Sequence, residues 1–232
     1  MKTFFFTLSL AFILATGAFA QKTQTRTLSA FTEISLKIGA DIHLRQGEVQ
    51  NVEVKGQEGT LNKLITEVSN RKLIVKYPSD TWFNKWNPGK VDIYITMPQI
   101  DELLILGSGS ITADEKVDSR ILNLIISGSG DIKFLELNSS KVSVAISGSG
   151  NVQLSGNVPA AEFKAVVSGS GNVKAIDFPA NDVNVKIGGS GNCMVHAVKN
   201  LVARLAGSGN VIYRGQPLVD TAILGTGIVK KD

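Results

Sequence analysis

From about residue 101 to Asp232 the apolar residues of this chain fall on alternate positions, and Gly-Ser-Gly interrupts the alternation at regular intervals. The triplet starts at Gly107, Gly128, Gly148, Gly169, Gly189 and Gly207, with Gly-Thr-Gly at Gly225, in steps of 21, 20, 21, 20, 18 and 18 residues. Two residues before each first glycine stand Ile105, Ile126, Ile146, Val167, Ile187, Leu205 and Ile223. Four residues after it stand Ile111, Ile132, Val152, Val173, Cys193, Val211 and Val229. Alternation on both sides of a turn means two strands per repeat, each with one buried face. A period near 20 residues predicts a solenoid, with like residues stacked in internal columns. The expected fold is all-β: a right-handed parallel β-helix of about 20 residues per coil, on the order of 34 Å long at ~4.8 Å per coil.

The turn residues agree with that reading. Glycine reaches positive φ without steric cost, so two per corner allow a sharp bend at every coil. The position after each triplet holds Ser110, Asp131, Asn151, Asn172, Asn192 and Asn210, which predicts a ladder of side-chain amides along one edge. Residues 21–100 are also β-rich but less regular, with strand patterns at Phe31–Leu44, Val52–Val54, Leu73–Val75 and Val91–Ile95 and a short helix or turn over Leu61–Val68. These strands are expected to begin the solenoid sheets or to cap them, since a bare solenoid end invites edge-to-edge association. The predicted organisation is therefore a leader at 1–20, an irregular β part at 21–100 and the repeat solenoid at 101–232.

Composition narrows the setting. Lys2, the apolar run Phe4–Ala15 and Ala18-Phe19-Ala20 have the form of a secretory signal peptide, with cleavage before Gln21. No later segment has the long apolar run of a spanning helix, so the expected location is exported: periplasm, outer surface or secreted. The net charge of +4 is spread along the chain, which gives nucleic-acid binding no footprint. Cys193 is the only cysteine, so the fold relies on packing rather than disulfides.

With the pattern laid out, the chain resembles the putative auto-transporter adhesin family with a head GIN domain. The resemblance rests on Phe31-x-x-Ile34, Leu44-Arg45-Gln46-Gly47, Val52-x-Val54, Ile65-Thr66-Glu67-Val68, Leu73-x-Val75 and Met97-Pro98, followed by the Gly-Ser-Gly series. It implies a secreted or surface β-solenoid in the bacterial cell envelope, and it carries over no catalytic residues.

The candidate chemistry is sparse. The glycine corners lack the helix and acidic residue of a dinucleotide site and the Gly-Lys-Ser/Thr of a phosphate loop. Calcium at the corners would need a carboxylate in each copy, and only Asp131 supplies one. No cofactor and no metal is expected. A polysaccharide lyase or hydrolase on the same scaffold is the alternative to an interaction module. Glu115 and Glu136, each eight residues after its first glycine, would be its carboxylate pair if the coils stack in register. An envelope structural role is the third reading. His43 and His196 read as edge or surface residues, and Cys193 as a small buried hydrophobe. The candidate partner-binding residues are Tyr77, Trp82, Phe83 and Trp86, in the aromatic segment between two strands, either as a platform for an unknown surface glycan or protein or as a cap on the solenoid. The outward position three before each glycine is apolar in its first half, at Leu104, Ile125 and Val166. This stripe is expected to be covered by the N-terminal segment or a second subunit, so a homo-oligomer would form through it or through the solenoid ends.

Overall fold

The computed structural model describes residues 21–79 and 87–232. The predicted leader at 1–20 and Trp82, Phe83 and Trp86 lie outside the described residues. The chain is nearly all β and winds as a solenoid of about six turns spaced about 20 residues apart.

Among the described residues, seventeen strands and one short helix follow in chain order: β1 (Lys22–Thr25), β2 (Glu33–Leu36), β3 (Asp41–Gln46), β4 (Asn51–Gly56), α1 (Glu58–Leu61), β5 (Ile65–Ser69), β6 (Lys72–Lys76), β7 (Asp92–Met97) and β8 (Glu102–Gly107). Then come β9 (Ser110–Gly128), β10 (Asp131–Gly148), β11 (Asn151–Ser155), β12 (Ala160–Gly169), β13 (Asn172–Gly189), β14 (Asn192–Gly207), β15 (Asn210–Arg214), β16 (Leu218–Gly225) and β17 (Val229–Lys231). From β8 onward each turn pairs in parallel with the turn before it.

The core consists of the columns that the alternation predicted. Ile42, Ile111, Ile132, Val152, Val173, Cys193 and Val211 follow one another in register, and all are buried. So do Leu73, Ile34, Leu103, Leu124, Val144, Ala165, Val185 and Ala203. Each fully buried aliphatic side chain contributes roughly 1.5–3 kcal/mol relative to exposure. Burial pushes the Cys193 thiol up to about 12, as expected of a packing residue rather than a reactive one.

At the corners the first glycine is always at positive φ, for example +126° at Gly148. From Gly128 to Gly207 its carbonyl accepts two hydrogen bonds from the next turn: Gly128 O takes the N–H of Ser149 at 2.9 Å and of Gly150 at 3.1 Å. Two donors on one carbonyl bring the corners so close that no side chain fits between them. The asparagines form the expected ladder. Asn210 donates to Asn192 at 3.0 Å, Asn192 to Asn172 at 3.1 Å, Asn172 to Asn151 at 2.9 Å and Asn151 to the Asp131 carboxylate at 2.8 Å. Every rung passes a proton donor toward the N-terminal side, so the first rung only has to accept, which suits an aspartate.

The N-terminal part departs from simple winding. The turn formed by β2 and β3 lies between β6/β7 on one side and β8/β9 on the other, so the first turn of the chain is second in the stack. Beyond β6 and β7 the pairing becomes antiparallel: β5 lies on β6, β4 on β7, and β1 on β4. Leu61 of α1 and Leu64 are buried at the same end. The segment thus both starts the two sheets and closes their edges with strands of reversed direction.

Candidate functional site

Three neighbouring parallel strands at the capped end, β7, β3 and β9, place Tyr94, His43 and Thr112 in one outward row. In-register neighbours stand about 4.8 Å apart, within the centroid range of offset-stacked rings. The His43 and Tyr94 rings accordingly stack, with centroids 4.7 Å apart and planes 14° from parallel, and Tyr94 remains 43% exposed. One row further, Arg45 forms an ion pair with Glu115 at 2.6 Å. Together with Thr96 and Asp114 these side chains line a cavity of about 320 Å³.

Under the ring pair lies a charge network. Asp92 is buried, and its Oδ1 meets Lys90 Nζ at 2.9 Å and His43 Nε2 at 3.3 Å. Lys90 also approaches Asp41 at 3.6 Å, and the Ser110 hydroxyl donates to Asp41 at 2.7 Å. Burial alone would raise the Asp92 carboxyl, but hydrogen bonds from Lys90 and His43 outweigh it and hold the group below its ordinary value. A carboxyl whose folded pKa lies below the unfolded one stabilises the fold fully above the unfolded value and loses that contribution as pH falls through the folded value. Asp92→Asn is therefore expected to melt below wild type at about pH 6, with the gap narrowing as pH falls below about 4, where unperturbed Asp titrates. Thermal melts across that range check it; a gap independent of pH would show that the charge of Asp92 contributes nothing.

The groove contains Tyr94, which the sequence did not single out, and His43, expected as an edge or surface residue. Tyr94 was legible as an outward position in Val91–Ile95, but nothing in the sequence puts β3 beside β7. His196 sits on β14; burial, then the Arg214 charge, lowers its pKa. Tyr77 packs partly buried against the core, and burial pushes its hydroxyl up to about 12.

The expected carboxylate pair does not form as spacing suggested. A bulge between Phe134 and Glu136 shifts the register by one, so Glu136 stands opposite Lys116 while Glu115 is held by Arg45. Among the described residues no three His, Cys, Asp or Glu side chains cluster as metal ligands, and no helix is long and apolar enough to cross a membrane. On the outward stripe Leu104, Ile125 and Val166 are half-buried, and the stripe continues through Ser35, itself 2% exposed, to Ile74.

A parallel solenoid with an antiparallel cap and a polar groove on its outer face defines the class: a rigid β scaffold presenting surface residues. Residues 30–217 match the family described as "putative auto-transporter adhesin, head GIN domain", and the chain belongs to that family. Crystal structures with a similar fold include the following three. A putative adhesin from Bacteroides fragilis is 22% identical, with 92% of this chain and 97% of that one covered and a TM-score of 0.85. A putative lipid binding protein from Parabacteroides distasonis is 25% identical (91% and 96% covered, TM-score 0.75). A putative adhesin from Parabacteroides merdae is 23% identical (91% and 96% covered, TM-score 0.72). No curated protein matches the sequence.

Proposed function

We propose that this protein is an exported, non-catalytic, adhesin-like interaction module that holds a surface glycan or protein against its outward sheet faces. The observation that carries the reading is the exposed His43–Tyr94 stack in a groove flanked by Arg45, Glu115, Thr96 and Thr112. A flat apolar ring face beside hydroxyl, carboxylate and guanidinium groups suits a sugar ring, which is apolar on one face and carries hydroxyls at its rim. The engagement of Glu115 by Arg45 and the register shift at Glu136 favour binding over hydrolysis. The leader pattern at residues 1–20 supports export, and fractionation of the producing cell tests it.

Binding of the purified protein to a panel of glycans and matrix proteins tests the site. Tyr94→Ala is expected to weaken the best ligand at least ~10-fold, about 1.4 kcal/mol. If Tyr94→Ala binds as wild type while Trp82→Ala/Trp86→Ala does not, the aromatic segment is the site and the groove is not. Release of reducing ends or unsaturated products from any polysaccharide in the panel would replace the module with an enzyme.

A further inference from the structure

The two ends of the solenoid are built differently. Antiparallel strands close the N-terminal end, whereas the last turn, β16 and β17, has no strand beyond it among the described residues. Inward residues there are partly uncovered: Val219 is 43% and Ile223 40% exposed, while Leu201 and Leu205, in the same columns one turn earlier, are buried. The outward positions also change character. Leu218 ends a column that reads Ile121, Lys141, Glu162, Asp182 and Asn200, and Leu224 ends one that reads Leu106, Ser127, Ser147, Ser168, Gly188 and Ala206. Leu218 is 79% and Leu224 77% exposed. Ile228 takes the place of the next ladder asparagine, and its N–H caps Asn210 Oδ1 at 3.2 Å, so the ladder terminates there. Two large apolar side chains this exposed, beside part-uncovered inward residues on a strand with a free edge, mark an interface rather than a solvated surface.

We propose that the occupant is a second copy of this chain, joined end to end through antiparallel pairing of β16 with β16 about a two-fold axis. The strand sequence selects the register. Inward residues must face the same side in both copies, so 219, 221 and 223 pair only among themselves. Centring on Thr221 uses the whole strand. Thr221 then faces Thr221 of the second copy, Val219 faces Ile223, Leu218 faces Leu224, and Asp220 faces Ala222. Apolar residues meet apolar residues on both faces of the sheet, and Asp220, already paired with Arg204 at 2.6 Å, meets no second carboxylate. A centre on Val219 would set Leu218 against Asp220, and one on Ile223 would leave Leu218 without a partner. The edge strands of the N-terminal end, Lys22–Thr25 and Ile65–Ser69, do not match the apolar run of β16, so the contact is isologous and closes at two copies.

Sedimentation equilibrium of the purified protein across the micromolar range tests this, with an expected two-fold rise over the protomer mass. Leu218→Lys/Leu224→Lys alters only outward, exposed side chains and is expected to remain monomeric with an unchanged circular dichroism spectrum and melting curve. Thr221→Cys is expected to form an intermolecular disulfide on oxidation, while Leu218→Cys alone does not, because Cys193 is buried and residue 218 faces 224. A wild-type monomer throughout the range, or a dimer that survives the double lysine variant, overturns the proposal. A dimer lost in the lysine variant but without the Thr221→Cys cross-link overturns the register.

Discussion

Gly189→Ala is expected to destabilise the fold by about 2–6 kcal/mol, while Gly188→Ala, one residue earlier, leaves it unchanged or stabilises it slightly. The first figure combines roughly 1–3 kcal/mol for a non-glycine residue in a glycine-only backbone region with roughly 1–3 for overpacking. Gly189 has φ +132°, and a Cβ there would run into the carbonyl of Gly169, with the Gly169 N and C each 3.1 Å away. That carbonyl cannot yield, because it already accepts from Ser190 at 2.9 Å and Gly191 at 3.0 Å. At Gly188 an added Cβ meets nothing within 4 Å, and its register neighbours are Ser168 and Ala206. An alanine that fits restricts the unfolded chain and gains ~0.4–1 kcal/mol. Denaturant titrations of both variants decide the matter. Equal losses would mean that the corner is sensitive to any added methyl, and the stacked carbonyls would not be the cause.

Phe163→Ala should come next in size, with an expected loss of about 3–5 kcal/mol, the usual range for removing a buried phenylalanine. The Phe163 and Phe178 rings meet edge to face, with centroids 6.0 Å apart at 67°, and both are 1% exposed. Phe178 lies against Gly156, where a Cβ would stand 3.2 Å from its ring. Gly156 leaves its position without a side chain, and the ring of Phe178 occupies the adjoining space. The turn there is irregular, since β11 ends at Ser155 and β12 starts at Ala160. Phe178→Ala should cost a similar amount, and the double variant less than the sum, by ~0.5–1.5 kcal/mol for the shared ring contact. Strict additivity in equilibrium unfolding would show that the two rings act independently.

The repeat region could be read from the sequence in detail. The positions of Ile105, Ile126 and Ile146 relative to the glycines fixed the inward columns, because a strand's side chains alternate with period two and a corner resets the count. The asparagine ladder followed from the same spacing. The N-terminal part could be read only as strands. Alternation in Asp41–Leu44 and Val91–Ile95 tells which side chains point inward, but it carries no information about which strand lies alongside. For the same reason the His43–Tyr94 stack was out of reach: the two residues lie 51 positions apart and meet only because β3 is inserted between β7 and β9. Glu115 and Glu136 show the converse error, in which a register that held for the corners was carried across a bulge that no residue type announces.

By itself, then, the sequence determined the winding: where the chain turns, which face is buried and where the polar ladder runs, all of them consequences of local stereochemistry repeated at a fixed interval. Only the tertiary structure decided the order of turns at the capped end, the groove that this order assembles and the exposure of the last strand. These depend on contacts between segments far apart in the chain, and several pairings satisfy the same local alternation.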